Sequence, residues 1–209
     1  MKILVVSYAF SPSVGGIENS SDVLAAGFAG AGNEVRLVTH EIRVDAQPRS
    51  FRVIRRPQAW LLWRLYRWAD VVFHNNVSLR YLWLKWITGR RCVVTTQTWL
   101  SGTPDIQTIG SCVKQAVLAS CTNIAISNAI RRSLGARSIV IGNPYDATVF
   151  RPYPNVLRAK SLLFVGRLVS DKGLDLLIRS VESLLRTGIE VKLTVAGDGP
   201  CRLDLEKMA

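Results

Sequence analysis

The 209 residues hold only two histidines, His40 and His74, and four cysteines, Cys92, Cys112, Cys121 and Cys201, none in CxxC or CxxH spacing. That argues against a zinc site and a disulfide framework and leaves free, mostly buried thiols. With ligand-type residues so scattered, no tightly bound metal is expected. No apolar run reaches the roughly 18 to 20 residues that a bilayer-spanning helix needs. The chain opens on a strand pattern at Lys2 rather than on a signal peptide, which reads as a cytoplasmic protein. GxGxxG and its acidic partner about 20 residues on are absent, which disfavours an NAD-binding Rossmann protein. Acids are scarce too: 15 against 27 lysines and arginines, a net charge of +12. The excess is concentrated from Arg36 to Arg91, where twelve basic residues meet three acids. A field of that sign attracts anionic lipid headgroups, anionic small molecules or nucleic acid. No RNA or DNA module signature accompanies it, so nucleic acid is not the expected partner.

What is present is a core-forming chain, 48% hydrophobic, with short apolar runs separated by helical patterns. Strands are expected at 2–8, 34–40, 50–56, 70–75, 91–97, 123–127 and 138–142, with helices near 17–31, 60–69, 78–88, 107–120 and 128–134. KILVVSY and DVVFHN run apolar without alternating, the pattern of strands buried on both faces. The alternation of strand and helix predicts an α/β, Rossmann-like, doubly wound parallel sheet of six or seven strands over residues 1–150. GNPYDATVFRPYPN, 142–155, carries three prolines and no period and reads as a linker. A second unit follows within 151–209: a strand at 161–167, a helix at 173–186, a strand at 190–197, a DGP turn and a helix from Cys201. It is shorter than a usual domain of about 100 residues and is expected to be the incomplete start of a second Rossmann-like domain.

FSPSVGGIEN, 10–19, leaves the first strand, sets Gly15 beside Gly16 and starts a helix with Glu18 in its first turn. Alone, this reads first as a tight turn. Its second reading is an anion seat, since free N–H groups gather at a helix start and glycines let a phosphate approach. The second unit changes the weighting. LLFVGRLVSDKGLDLLIRSVESL (162–184) followed by LTVAGDGP (193–200) resembles the opening of the donor-binding domain of family 4 retaining glycosyltransferases, which have the GT-B fold. The glycine loop, AISNAIRRSLG (125–135) and IGNPYDATVF (141–150) resemble further segments of that family, in the right order.

The resemblance implies an acceptor-side domain at 1–150 and the beginning of a nucleotide-sugar-binding domain at 151–209. It implies transfer of a sugar from a nucleotide-sugar donor to a lipid-linked or saccharide acceptor, in cell-surface polysaccharide or glycolipid synthesis, with no cofactor beyond the donor. Arg167 and Lys172 would reach the donor diphosphate from one side, and Gly15 and Gly16 from the other, because charge grows on the leaving group as the glycosidic bond breaks. Many relatives carry a histidine in the segment matching 93–99, where this chain has Gln97. His74 lies near another strand end where relatives show His and Asn. His74 and Gln97 are therefore the catalytic candidates, His74 reading equally as a structural hydrogen-bonder. The family's Glu-x7-Glu element has no counterpart before Ala209. A truncated, non-catalytic fragment that keeps only acceptor or membrane binding is thus the alternative expectation.

WLLWRLYRW, 60–68, and LRYLWLKW, 79–86, interleave tryptophan with arginine and lysine. Arg55, Arg56, Trp60, Trp63, Arg64 and Arg67 are the candidate contacts to an anionic membrane surface, with indoles at headgroup level and cations on lipid phosphate. The alternative is two helices packed on the sheet with arginines outward. The first reading places the protein peripherally on the inner face of the cell membrane.

Overall fold

The computed structural model describes residues 1–99, 109–134, 138–154 and 161–209. It divides into two compact units, Met1–Arg151 and Pro152–Ala209. The first contains β1 (Lys2–Ser7), α1 (Gly16–Gly30), β2 (Glu34–Thr39), β3 (Arg52–Arg55), α2 (Ala59–Trp68), β4 (Val71–Asn75), α3 (Leu79–Leu82), α4 (Leu84–Thr88), β5 (Arg91–Thr96), α5 (Ile109–Ala119), β6 (Thr122–Ala125), α6 (Asn128–Leu134) and β7 (Ser138–Val140). The seven strands form one sheet in the order β3-β2-β1-β4-β5-β6-β7, and every pairing is parallel. This is the doubly wound sheet expected from the alternation of strand and helix.

Strand β1 reads as a continuous apolar run because each of its faces has its own cover. Ile3 and Val5 join Leu37, Phe73 and Ala25 of α1 in one core cluster. Leu4 and Val6 join Val72, Val94 and residues of α2, α3 and α4 in the other. The first helix stops where Gly32 takes φ +79°; its N–H and that of Asn33 return to the Ala29 and Phe28 carbonyls, a Schellman ending. The single helix expected over 78–88 is instead two short ones. The indole N–H of Trp83 donates to the Arg80 carbonyl at 2.9 Å, an acceptor that a continuous helix would use. The strand order reverses at β1, which has β2 on one side and β4 on the other, and this opens a crevice at their carboxyl ends.

Residues 40–51 carry no regular structure. They are fastened by Arg49, whose side chain is 9% exposed. Its guanidinium pairs with Asp22 of α1 at 3.1 Å and with Asp45, and it lies 5.0 Å from the Phe10 ring. The Ser11 hydroxyl also donates to Asp45.

The second unit contains β8 (Ser161–Val165), a 3-10 turn (Ser170–Lys172), α7 (Leu174–Arg186), β9 (Lys192–Ala196) and α8 (Arg202–Met208). Its two strands are parallel, Ser161 opposite Lys192. A small core of Leu168, Leu174, Ile178 and Leu205 fills the space between sheet and helices, while Leu163, Val165 and Leu176 remain exposed.

Arg49→Ala strands two carboxylates that it now neutralises, and is expected to cost about 3 kcal/mol, read as a lower urea midpoint. Arg49 and Ser11 hold the Asp45 carboxyl well below its ordinary range. The folded chain therefore takes up that proton later than the unfolded one. This share of stability is complete above about pH 4 and drains away as pH falls further. The difference in stability between wild type and Arg49→Ala should narrow along the same acid limb.

Candidate active site

In a parallel sheet every carboxyl end reaches the same edge. Here that edge presents Tyr8 after β1, His40 after β2, Arg56 after β3, Asn76 after β4 and Gln97 after β5. At its centre lies a buried polar network. The Asn75 amide group donates to Ser21 Oγ at 2.7 Å, Ser20 Oγ at 2.9 Å and the Ile17 carbonyl at 3.0 Å. Its Oδ1 accepts from Thr95 Oγ1 at 2.8 Å and Gln97 Nε2 at 2.7 Å. The Ser21 hydroxyl reaches Ser7 Oγ at 2.7 Å, and Asn143 Nδ2 donates to Gln97 Oε1 at 3.0 Å. The start of α1 is thereby fixed against the ends of β1, β4 and β5. Both ends of the Gln97 amide are engaged, and an amide exchanges no proton near neutral pH. Gln97 therefore orients groups and does not act as acid or base.

A cavity of 370 Å³ opens beside this network at the switch between β1 and β4, lined among others by Tyr8, Ile17, Asn75, Asn76, Ser78 and Lys114. Tyr8 stacks on His40 with ring centroids 5.0 Å apart. The Arg56 guanidinium lies 3.1 Å from His40 Nε2, which must act as acceptor; burial, Arg56 and Arg80 hold the His40 pKa down. A larger cleft of 620 Å³ lies in the second unit. Its lining is mostly that unit's own apolar core, including Leu168, Leu174, Ile178 and Leu205. Its Arg202 and Glu206 are paired with each other at 2.8 Å, so the smaller cavity, with its convergent polar groups, is the better site.

His74 is fully buried. Its Nε2 lies 2.9 Å from the Tyr66 hydroxyl, which donates onward to the Tyr81 carbonyl at 2.7 Å. The tyrosine proton being used there, His74 carries its own on Nε2, and Nδ1 has no partner among the described residues. Burial pushes its pKa down to about 3. Of the two expectations for His74, the structural hydrogen bond is the one it makes; as a catalytic group it is sealed from solvent and unchargeable near neutrality.

Gly15 is the N-cap of α1 with an extended backbone, φ 179°. The Glu18 carboxylate folds back over it, so that a Cβ at Gly15 would collide with Glu18 Oε2, whereas the space at Gly16 is open. An anion arriving at this helix start must displace that carboxylate.

In the second unit the motif glycines have a backbone reason. A Cβ on Gly197 or Gly199 would strike the Gly166 or Leu168 carbonyl. Without one, the loops after β8 and β9 stack, the Leu168 N–H donating to the Asp198 carbonyl at 2.9 Å. This seats exposed Arg167 at the end of β8 and exposed Lys172 just ahead of α7, with Asp171 3.1 Å from Lys172.

Of the membrane candidates, α2 presents Trp60, Trp63, Arg64 and Arg67 outward, Arg64 lying 5.8 Å from the Trp60 ring and Arg67 5.0 Å from Trp63. On α4 and just before it, Trp86 and Trp83 are exposed as well. Arg55 leaves this group: its guanidinium donates to the Ser11 carbonyl at 2.9 Å and toward that of Glu41, bracing the loop. Arg56 is committed to His40. Sequence reasoning missed Asn75, Ser20, Ser21 and Lys114. Serines in the first turns of a helix and an asparagine at a strand end were the available signal, but nothing local says that they meet.

Residues 148–209 match the family model described as Glycosyl transferases group 1. Alpha-D-kanosaminyltransferase of Streptomyces kanamyceticus is 43% identical over 47 residues, 22% of this chain and 12% of that protein. A phosphatidylinositol N-acetylglucosaminyltransferase polypeptide of Arabidopsis thaliana is 24% identical over all of this chain and 54% of its own length. The chain thus spans about half, or less, of these curated relatives. Among solved structures, an S. aureus TarM mutant in complex with fondaparinux, alpha-GlcNAc-glycerol and UDP superposes with a TM-score of 0.72 at 10% identity, over 99% of this chain and 74% of that one. The catalytic domain of starch synthase IV from Arabidopsis thaliana, bound to ADP and acarbose, gives 0.61 at 10% identity, over 98% and 70%.

Tyr66→Phe removes the one partner that the buried imidazole has among the described residues, and is expected to cost about 1 to 3 kcal/mol, measured by denaturant unfolding. His74 ring signals should not titrate between pH 5 and pH 8 in NMR spectra of the wild type.

Proposed function

We infer that this chain, which carries a group 1 glycosyltransferase segment at residues 148–209 and shares the GT-B fold, transfers a sugar from a nucleotide-sugar donor to an acceptor. The proposed setting is cell-surface polysaccharide or glycolipid synthesis, and the proposed course is retaining transfer of a hexosyl-type sugar as in family 4. The observation that carries the reading is the pair of exposed cations at the carboxyl edge of the second unit, Arg167 and Lys172, held by stacked glycine loops. Negative charge develops on a diphosphate as the glycosidic bond breaks, and fixed cations at that point lower the barrier. The donor is a substrate, and the proposal includes no further cofactor. The 370 Å³ cavity beside Asn75 is the proposed acceptor seat, and Lys114 favours an acceptor with an anionic group. At the start of α1, the open space at Gly16 and the displaceable Glu18 carboxylate suit a phosphate.

The outward face of α2 supports peripheral attachment to an anionic membrane. Indoles and guanidiniums stacked on one helix face suit the headgroup layer. No helix among the described residues is long and apolar enough to cross a bilayer. A non-catalytic module that only binds acceptor or membrane would share this face, and donor turnover separates the two readings.

Isothermal titration with UDP-, GDP- and ADP-sugars, followed by a transfer assay with the donor that binds, tests the proposal; no binding to any of them would overturn it. Arg167→Ala and Lys172→Ala should each lower kcat by roughly 10² to 10³. Wild-type rates in both would remove the diphosphate assignment. In a vesicle-sedimentation assay, Arg64→Glu with Arg67→Glu should abolish binding to anionic vesicles, and binding by the wild type should weaken as salt rises. Equal binding to neutral vesicles would refute the electrostatic part.

A further inference from the structure

The amino-terminal edge of the large sheet, opposite the proposed acceptor seat, holds a chemistry that sugar transfer does not use. Strands β5 and β6 run parallel with Val93 opposite Thr122. Cys92 and Cys121, one residue earlier on each, therefore stand opposite one another. Strand side chains alternate between faces. Both cysteines lie on the face of Val94 and Ala125, and both pack into the same core cluster. Neighbouring strands are about 4.8 Å apart, within the roughly 4.4 to 6.8 Å between Cα atoms that a disulfide spans. Both thiols are free.

The two are not equivalent. Cys92 is buried, while Cys121 is half-buried in the bend that leads into β6. A small oxidant meets Cys121 first. The Cys121 thiol donates to the Val117 carbonyl at 3.5 Å. The neighbouring Cys92 thiol, then the Lys85 charge, draw Cys121 toward thiolate, while the nearby Cys121 and burial keep Cys92 protonated.

We propose that Cys92 and Cys121 form a peroxide-sensitive dithiol, with Cys121 attacking and Cys92 resolving to close a cross-strand disulfide between β5 and β6. The Cys121 thiolate attacks one peroxide oxygen; the O–O bond breaks, hydroxide leaves, and Cys121 becomes a sulfenic acid. The Cys92 sulfur then attacks the Cys121 sulfur; the S–O bond breaks, and the hydroxyl leaves as water with the Cys92 proton. Two thiols and one hydrogen peroxide give one disulfide and two waters. The staple closes the chain from 92 to 121 into a loop, which restricts the unfolded state and raises stability.

The test adds one equivalent of hydrogen peroxide to the reduced full chain, both as wild type and with Cys112→Ser and Cys201→Ser so that only this pair remains. The expected result in both is loss of two thiols, a Cys92–Cys121 linked peptide in a non-reducing digest, a higher Tm, and reversal by dithiothreitol. Cys92→Ser should leave a sulfenic acid that dimedone traps on Cys121, and Lys85→Gln should slow thiol loss several-fold. The proposal falls if both cysteines stay alkylatable, if Cys121 goes on to sulfinic acid while Cys92 remains free, or if the disulfide joins either to another cysteine. These wild-type outcomes decide the matter even if Cys92→Ser fails to fold.

Discussion

The buried carboxamide of Asn75 is the point on which the carboxyl edge of the large sheet turns. It donates to the first turns of α1 and accepts from Thr95 and Gln97, so one side chain binds a helix start to the ends of β4 and β5. A buried amide left unpaired costs more than its hydrogen bonds return. The network is therefore close to all-or-nothing, and this keeps the glycine loop in register with the cavity beside it. Parallel pairing supplies the rest, because it gathers Tyr8, His40, Arg56, Asn76 and Gln97 along a single edge.

His74 and Asn75 show how much one position on a strand decides. Neighbours on β4, they point to opposite faces. His74 enters the core beside Tyr66 and loses its charge chemistry to burial, while Asn75 meets α1 and organises the site. A reading of the strand end that is uncertain by one residue exchanges these roles completely. The histidine carries the more familiar chemistry, and it is the asparagine that reaches the site.

The second unit uses glycine in another way. Gly197 and Gly199 sit where any side chain would strike the backbone after β8, so the turn AGDGP is written by packing between two loops. That packing sets the start of the turn and helix that carry Lys172, and it fixes the strand end that carries Arg167. A local motif of this kind is legible because its constraint lies within the few residues that form it. The same holds for Gly32 closing α1 and for the strands themselves, whose observed limits lie within about two residues of those read from the apolar runs.

Short-range patterning thus determined the parallel sheet, most of its helices, the two-unit division of motifs, the outward basic face of α2 and the strand-end and helix-start positions of Arg167 and Lys172, which the family resemblance singled out. Tertiary structure alone decided which residues meet. It turned Arg55 onto the Ser11 carbonyl to brace the loop, buried Arg49 between Asp22 and Asp45, folded Glu18 over Gly15 and set Cys92 opposite Cys121. Each of these depends on register and packing between segments tens of residues apart or on the path of a loop. Hydrophobic periodicity reports which face of an element is buried, and it carries no information about the partner that covers that face.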